Sequence, residues 1–154
     1  MGRTSERPFT LSIPRLVNWK EQPAAAGAGT GLTVSRNDVE AGKFGNPHGT
    51  VAVTVLAPEQ SVEGAWARLE SLARAGSGWV QDGFAQVEVC GHRGLRAAAT
   101  STAPAGVRDD RLGVAFELGG VVYPVMVTGR TNAAATEAIR ADVAAILNGV
   151  QLTP

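Results

Sequence analysis

This chain predicts an α+β fold, a mainly antiparallel twisted sheet flanked by helices, and three observations carry the prediction. Segments that alternate apolar and polar residues outnumber helical stripes by about three to one. Short turns rich in glycine join consecutive strands, which favours antiparallel neighbours. Only two segments repeat apolar residues at helical spacing over enough length to cover a sheet.

Phe9 to Ile13 alternates apolar and polar residues before Pro14 and reads as a short strand with one buried face. Trp19 follows in a turn. Pro23 to Gly31 is rich in Ala and Gly, loses much backbone entropy on ordering and offers little to bury, so it reads as a mobile loop. Gly31 to Arg36 returns to a strand through Leu32 and Val34, and Asn37 to Gly49 is turn chemistry. Thr50 to Leu56 then alternates strictly, with Val51, Val53 and Val55 on one face.

Ser61 can cap a helix running to Ala75, with Glu63 placed favourably for the dipole in its first turn. Val62, Ala65, Trp66, Leu69, Leu72 and Ala73 form its apolar stripe, Glu63, Arg68, Glu70 and Arg74 point away, and Gly76-Ser77-Gly78 ends it. Phe84 to Val89 and Leu95 to Ser101 read as strands joined through Gly91 and Gly94, and Pro104 to Asp110 as the next reversal.

Leu112 to Thr128 is the most informative stretch, because Leu118-Gly-Gly-Val121 puts glycines where a tight hairpin needs positive φ at both central positions. Pairing Leu118 with Val121 sets the register. Leu112, Val114, Phe116 and Leu118 then share a face with Val121, Tyr123, Val125 and Val127. Pro124 lacks an N–H and marks an edge or a bulge on its outer side. A second helix closes the chain, with Thr131 or Asn132 as cap, Ile139, Val143, Ile146 and Leu147 as stripe, and Asn148-Gly149 as stop.

With 154 residues, 44% hydrophobic, the chain is long enough for one unstapled core, placed at residues 9–154 behind a disordered segment at 1–8. Fourteen Lys+Arg balance 14 Asp+Glu with no basic cluster, which speaks against a nucleic-acid partner. A single cysteine, Cys90, excludes an internal disulfide. Glycine, proline or charge interrupts every stretch that approaches the ~20 apolar residues of a membrane span. Met1 to Pro8 has no apolar run of the signal-peptide kind, so the chain as written is expected in the cytoplasm, and in the envelope if a lipid-bearing N-terminus has been trimmed.

The candidate chemistry is thin. Gly27-Ala-Gly-Thr-Gly31 lacks the third glycine of a dinucleotide loop, has Leu32 in its place and precedes a strand, so it reads as a loop. His48 and His92, the two histidines, sit in predicted turns and read as solvated side chains rather than metal ligands. Cys90 ends an alternating strand and reads as a small buried apolar residue. Gly76-Ser77-Gly-Trp79 follows a helix, where a nucleophile elbow would follow a strand. Asp109 and Asp110, between Arg108 and Arg111, read as a charge-balanced hairpin tip. No catalytic residue, metal or cofactor is therefore expected. Trp66 belongs to the helix stripe, whereas Trp19 and Trp79 sit at turns, where a ring either seals the end of a sheet or contacts a ligand.

Taken together, Phe9-Thr-Leu-Ser-Ile-Pro14 with Trp19, the Thr50 strand, the Ser61 helix, Gly91-His-Arg-Gly-Leu-Arg-Ala97, the Val121 strand and a final helix running into Val150-Gln-Leu resemble the LpqN/LpqT-type actinobacterial lipoproteins of the PsbP/Mog-like superfamily. The 12 Arg against 2 Lys also suit a GC-rich actinobacterial genome. The resemblance implies an α/β/α sandwich, no catalytic residues, and an envelope role with a lipid, a glycolipid or a protein partner. It departs from the family in lacking the lipobox cysteine and in its wider spacing from Pro14 to Trp19. Cytoplasmic relatives in the superfamily imply an alternative, a secretion-associated chaperone that binds apolar segments. The expected binding surface is a shallow apolar groove lined by Trp19, the Pro23 to Gly31 loop and Trp79.

Overall fold

The computed structural model describes residues 9–22, 30–36, 48–102 and 105–154; the segment 1–8 and residues 23–29 of the Ala/Gly loop lie outside them. In chain order the elements are β1 (Thr10–Ser12), β2 (Lys20–Gln22), β3 (Thr30–Arg36), β4 (Gly49–Val55), α1 (Val62–Ala73), β5 (Trp79–Val89), β6 (His92–Thr102), β7 (Ala105–Leu118), β8 (Val121–Thr131), α2 (Glu137–Asn148) and β9 (Gln151–Thr153). β2 to β8 form a seven-stranded sheet in the order β2-β3-β4-β8-β7-β6-β5, antiparallel throughout. The connection through α1 carries the chain from β4 to the far edge. A four-stranded meander then returns until β8 docks on β4. β1 and β9 pair separately, so the two ends of the described chain meet.

The hairpin register follows the sequence. Leu118 faces Val121, Phe116 faces Tyr123 and Leu112 faces Val127, across a turn with φ of 62° at Gly119 and 83° at Gly120. Pro124 lies in an interior strand, yet its missing donor costs nothing, because pairing with the neighbouring segment lapses between Leu56, which donates to the Pro124 carbonyl, and Glu59. Ser61 caps α1 by accepting from the Gly64 N–H.

The two helices cover opposite faces. Under α2, Ile139, Val143, Ile146 and Leu147 pack on Val51, Val53, Val127 and Phe116, with Phe9, Leu11 and Trp19 closing the end. Under α1, Ala65, Trp66, Leu69 and Ala73 meet Leu95, Ala97, Ala115, Val122 and Met126, and the Arg93 guanidinium lies 3.8 Å from the centre of the Trp66 ring. This is the α+β sandwich expected from the pattern.

Several expectations are corrected. The reversal placed at Pro104 to Asp110 is too long, because Ala105 to Asp110 already belong to β7. Arg108 with Asp110 and Arg111 with Asp109 pair two residues apart along this interior strand, and Arg130 reaches Asp109 from β8. Thr131 is the last residue of β8, and the Asn132 side chain accepts from the Ala134 N–H in a turn, so neither caps α2. Thr136 does, accepting from the Ile139 N–H. Cys90 is exposed with φ of 51°, forming with Gly91 the tight β5–β6 turn. His92 is half-buried with its ring centre 4.6 Å from that of Phe116, and the Nδ1 atom of His48 is buried.

Candidate functional site

The meander overhangs the helices. β5 is the outermost strand, eight of its eleven residues are exposed, and the main contacts of α1 and α2 fall on β4, β6, β7 and β8. Each face of the sheet therefore carries a cleft where a helix ends and the β5–β6 margin continues.

On the α1 face, β6 supplies a floor of Ala97 and Ala99, β7 supplies Asp109 and Arg111, β8 supplies Arg130, and β5 supplies Trp79. Cross-strand register sets Ala99, Asp109 and Arg130 in one row. The small alanine side chains cannot fill the height that the helix leaves beyond Ala73, and a cleft of about 180 Å³ remains. Asp109 is 1% exposed, and a bare carboxylate there would be strongly disfavoured. Two guanidinium groups satisfy it. Arg130 donates from Nε at 2.7 Å and from Nη2 at 2.9 Å, while Arg111 donates from Nη2 at 3.1 Å. Arg111 also donates to the Leu72 carbonyl at the end of α1, which neutralises the negative pole of the helix. The bond to Asp109 pushes the Arg130 guanidinium up from the ordinary arginine range, against the opposing effect of burial. Gln81 fixes the rim, accepting from the Ala75 N–H at 2.8 Å and donating to the Ala98 carbonyl at 3.0 Å.

On the α2 face a larger cleft of about 490 Å³ opens between the C-terminal end of α2 and the β5–β6 turn. Val87, Val89, Leu112, Leu147 and Val150 give it aliphatic walls, while Arg96, Asn148 and Glu88 form its polar margin. Arg96 donates to the Asn148 side chain at 3.0 Å, and partial burial pulls its guanidinium down from the ordinary range despite the Asp110 charge. The Cys90 thiol sits at the mouth, 3.9 Å from the Val150 carbonyl.

The two tryptophans singled out from the sequence lie on opposite faces and cannot line one groove. Trp19 is 6% exposed beneath α2, its indole N–H donating to Asp142 at 2.9 Å, and the geometry gives it to the core. Trp79 is half-buried at the start of β5, not in a turn, and forms a wall of the smaller cleft. Most of the loop assigned to the same groove lies outside the described residues. Sequence reasoning missed Asp109, Arg111 and Arg130. For Asp109 and Arg111 the available signal is charge inside a strand-forming stretch, where the sequence reads as a hairpin tip, and Arg130 carries no local signal because it joins them only across the β7–β8 pairing. Among the described residues no group of three or more His, Cys, Asp or Glu side chains is placed to hold a metal ion, and no helix is long and apolar enough to cross a membrane.

This arrangement defines a class: an antiparallel sheet sandwiched between one helix per face, the fold of the PsbP-like proteins. Within it the chain is similar to LpqN, "involved in cell envelope biogenesis of Mycobacterium tuberculosis", with a TM-score of 0.73 over 97% of this chain and 88% of that one, at 12% identity. The cyanobacterial PsbP of Synechocystis sp. PCC 6803 matches with a TM-score of 0.52 at 5% identity, over 93% of this chain and 91% of that one. At such identities the likeness is one of fold, and at that level the resemblance read from the sequence holds. No protein-family model and no curated protein sequence matches the chain.

Proposed function

We propose that this protein is a noncatalytic binding module of the cell envelope that takes up the chain of a lipid or glycolipid in the cleft on the α2 face. The observation that carries the reading is the cleft itself. Its volume of about 490 Å³ falls within the range of small-molecule sites, and aliphatic side chains set beside an extensive polar surface from Glu88, Arg96 and Asn148 suit an amphiphile with a polar head. A binding role also suits the one buried carboxylate of the other cleft. The Asp109 oxygens are both taken by arginines, so the carboxylate serves to hold those side chains in place. The envelope setting rests on the likeness to LpqN; fractionation of the native cells tests it, a purely cytosolic pool being the contrary result.

The test is titration with dodecyl maltoside below its critical micelle concentration, read by methyl NMR. Saturable shifts at Val87, Val89, Leu147 and Val150, lost in Val89→Glu with folding intact, are the expected outcome. Shifts scattered over the surface, or none, would remove the reading. A second reading, a protein partner, draws on the β5 edge. This strand holds no Lys, Arg or Pro, although Asp82, Glu88 and a bulge between Gln81 and Gly83 partly guard it, and it exposes Val80 (53%) and Phe84 (40%). The chaperone alternative, an apolar peptide in place of a lipid, would fill the same cleft, and competition between dodecyl maltoside and an apolar peptide separates the two.

A further inference from the structure

We infer that the smaller cleft, on the α1 face, is a second and separate binding site, one that takes an oxyanion, carboxylate or phosphoryl, carried on a single small ring. The argument begins with a cost. A carboxylate that is 1% exposed in the middle of a sheet, flanked on its row by alanine, gains little over an apolar residue of similar size, because burying a charge is offset only when its partners are well placed. What Asp109 does achieve is geometric. Its two oxygens hold the Arg130 and Arg111 guanidinium groups in fixed orientation along one wall of the cleft.

The cations outnumber the anion. Arg111 and Arg130 against Asp109 leave one positive charge among these three side chains, and Arg130 retains side-chain exposure of 56% at the cleft. Its Nε and one Nη face Asp109, so the other Nη remains to meet a ligand oxygen. Beside it stands Trp79, whose ring centre is 5.4 Å from the Arg130 guanidinium carbon and which offers an apolar face next to the charge. With alanine beneath and about 180 Å³ of space, the cleft has room for one ring and not for a long chain. A fixed cation, an aromatic wall and a shallow apolar floor together describe recognition of a ring-borne oxyanion.

The probes are benzoate and phenyl phosphate, with cyclohexanol and inorganic phosphate as controls, followed through the Trp79 indole and arginine Nε signals in ¹⁵N NMR at constant ionic strength. Saturable shifts with either ring-borne anion, weaker with inorganic phosphate and absent with cyclohexanol, are expected, and the preferred probe tells carboxylate from phosphoryl. Arg130→Lys keeps the charge while losing the fork and should weaken binding about tenfold. Trp79→Leu, at a half-exposed position, should weaken the ring-borne anions while leaving inorganic phosphate unchanged. The inference fails if neither ring-borne anion gives a saturable shift at Trp79, or if Arg130→Lys, shown folded by its spectrum, binds as the native protein does. Because dodecyl maltoside reports on the opposite face, failure here leaves the lipid reading untouched, and the converse holds.

Discussion

The two faces of the sheet are built from different materials. Beneath α2 the side chains are branched and bulky, and Phe116, Val114, Val125, Val127, Ile139 and Ile146 are at most 1% exposed. Beneath α1 the row that continues past the helix shrinks to alanine and then turns ionic at Asp109. Burying each aliphatic or aromatic side chain of the first kind contributes about 1.5–3 kcal/mol, whereas a buried ion pair contributes little net. The α2 face therefore supplies stability, and the α1 face spends part of its surface on fixing charged groups.

Substitutions can break or sharpen that contrast. The largest effect is expected for Phe116→Ala, where a side chain 1% exposed is removed from under α2 at a cost of about 3–5 kcal/mol. Denaturant unfolding measures it, and a loss below that of an average surface change would mean that the α2 face is not the principal core. Asp109→Ala should follow at about 3 kcal/mol, since it leaves two arginines without their carboxylate. Its neighbour Asp110 makes the control. That side chain is 22% exposed on the other face and paired with a well-exposed Arg108, so Asp110→Ala should cost under about 1 kcal/mol. Equal costs for the two would cancel the distinction drawn between the faces.

Gly129→Ala probes how closely α2 lies on β8. A Cβ there would meet the Val143 Cγ1 at 2.3 Å, and overpacking of that kind costs about 1–3 kcal/mol. Gly83→Ala, on the open β5 margin with nothing within 4 Å, should leave the thermal midpoint nearly unchanged. Trp79→Ala is expected to cost under about 1 kcal/mol, because a cleft wall is not a core residue. A loss like that of Phe116→Ala would make Trp79 a packing residue and take away the main wall of the smaller cleft.

Much of the fold was legible because its signals are local. Two adjacent glycines with positive φ fixed the Leu118–Val121 register, Ser61 marked the start of α1, and the stripe Ile139, Val143, Ile146, Leu147 marked the buried side of α2. The misses share a different cause. Cys90 was read from the alternation of its strand, but the β5–β6 turn claimed it; Thr131 looked like a cap, but the neighbouring strand extended through it. Strands such as β2 and β9, three residues each, carry no pattern of their own and exist only through the partners they meet.

The sequence by itself determined the α+β class, the two amphipathic helices and the central hairpin, since each depends on residues close together along the chain. Tertiary structure alone decided which residues share a cleft. Trp19 and Trp79 resemble one another in sequence, yet a turn beneath α2 buries one while the sheet edge leaves the other beside Arg130. Asp109 and Asp110 are adjacent in the chain and face opposite sides, because a strand alternates its side chains, and only the order of the strands determines what waits on each side.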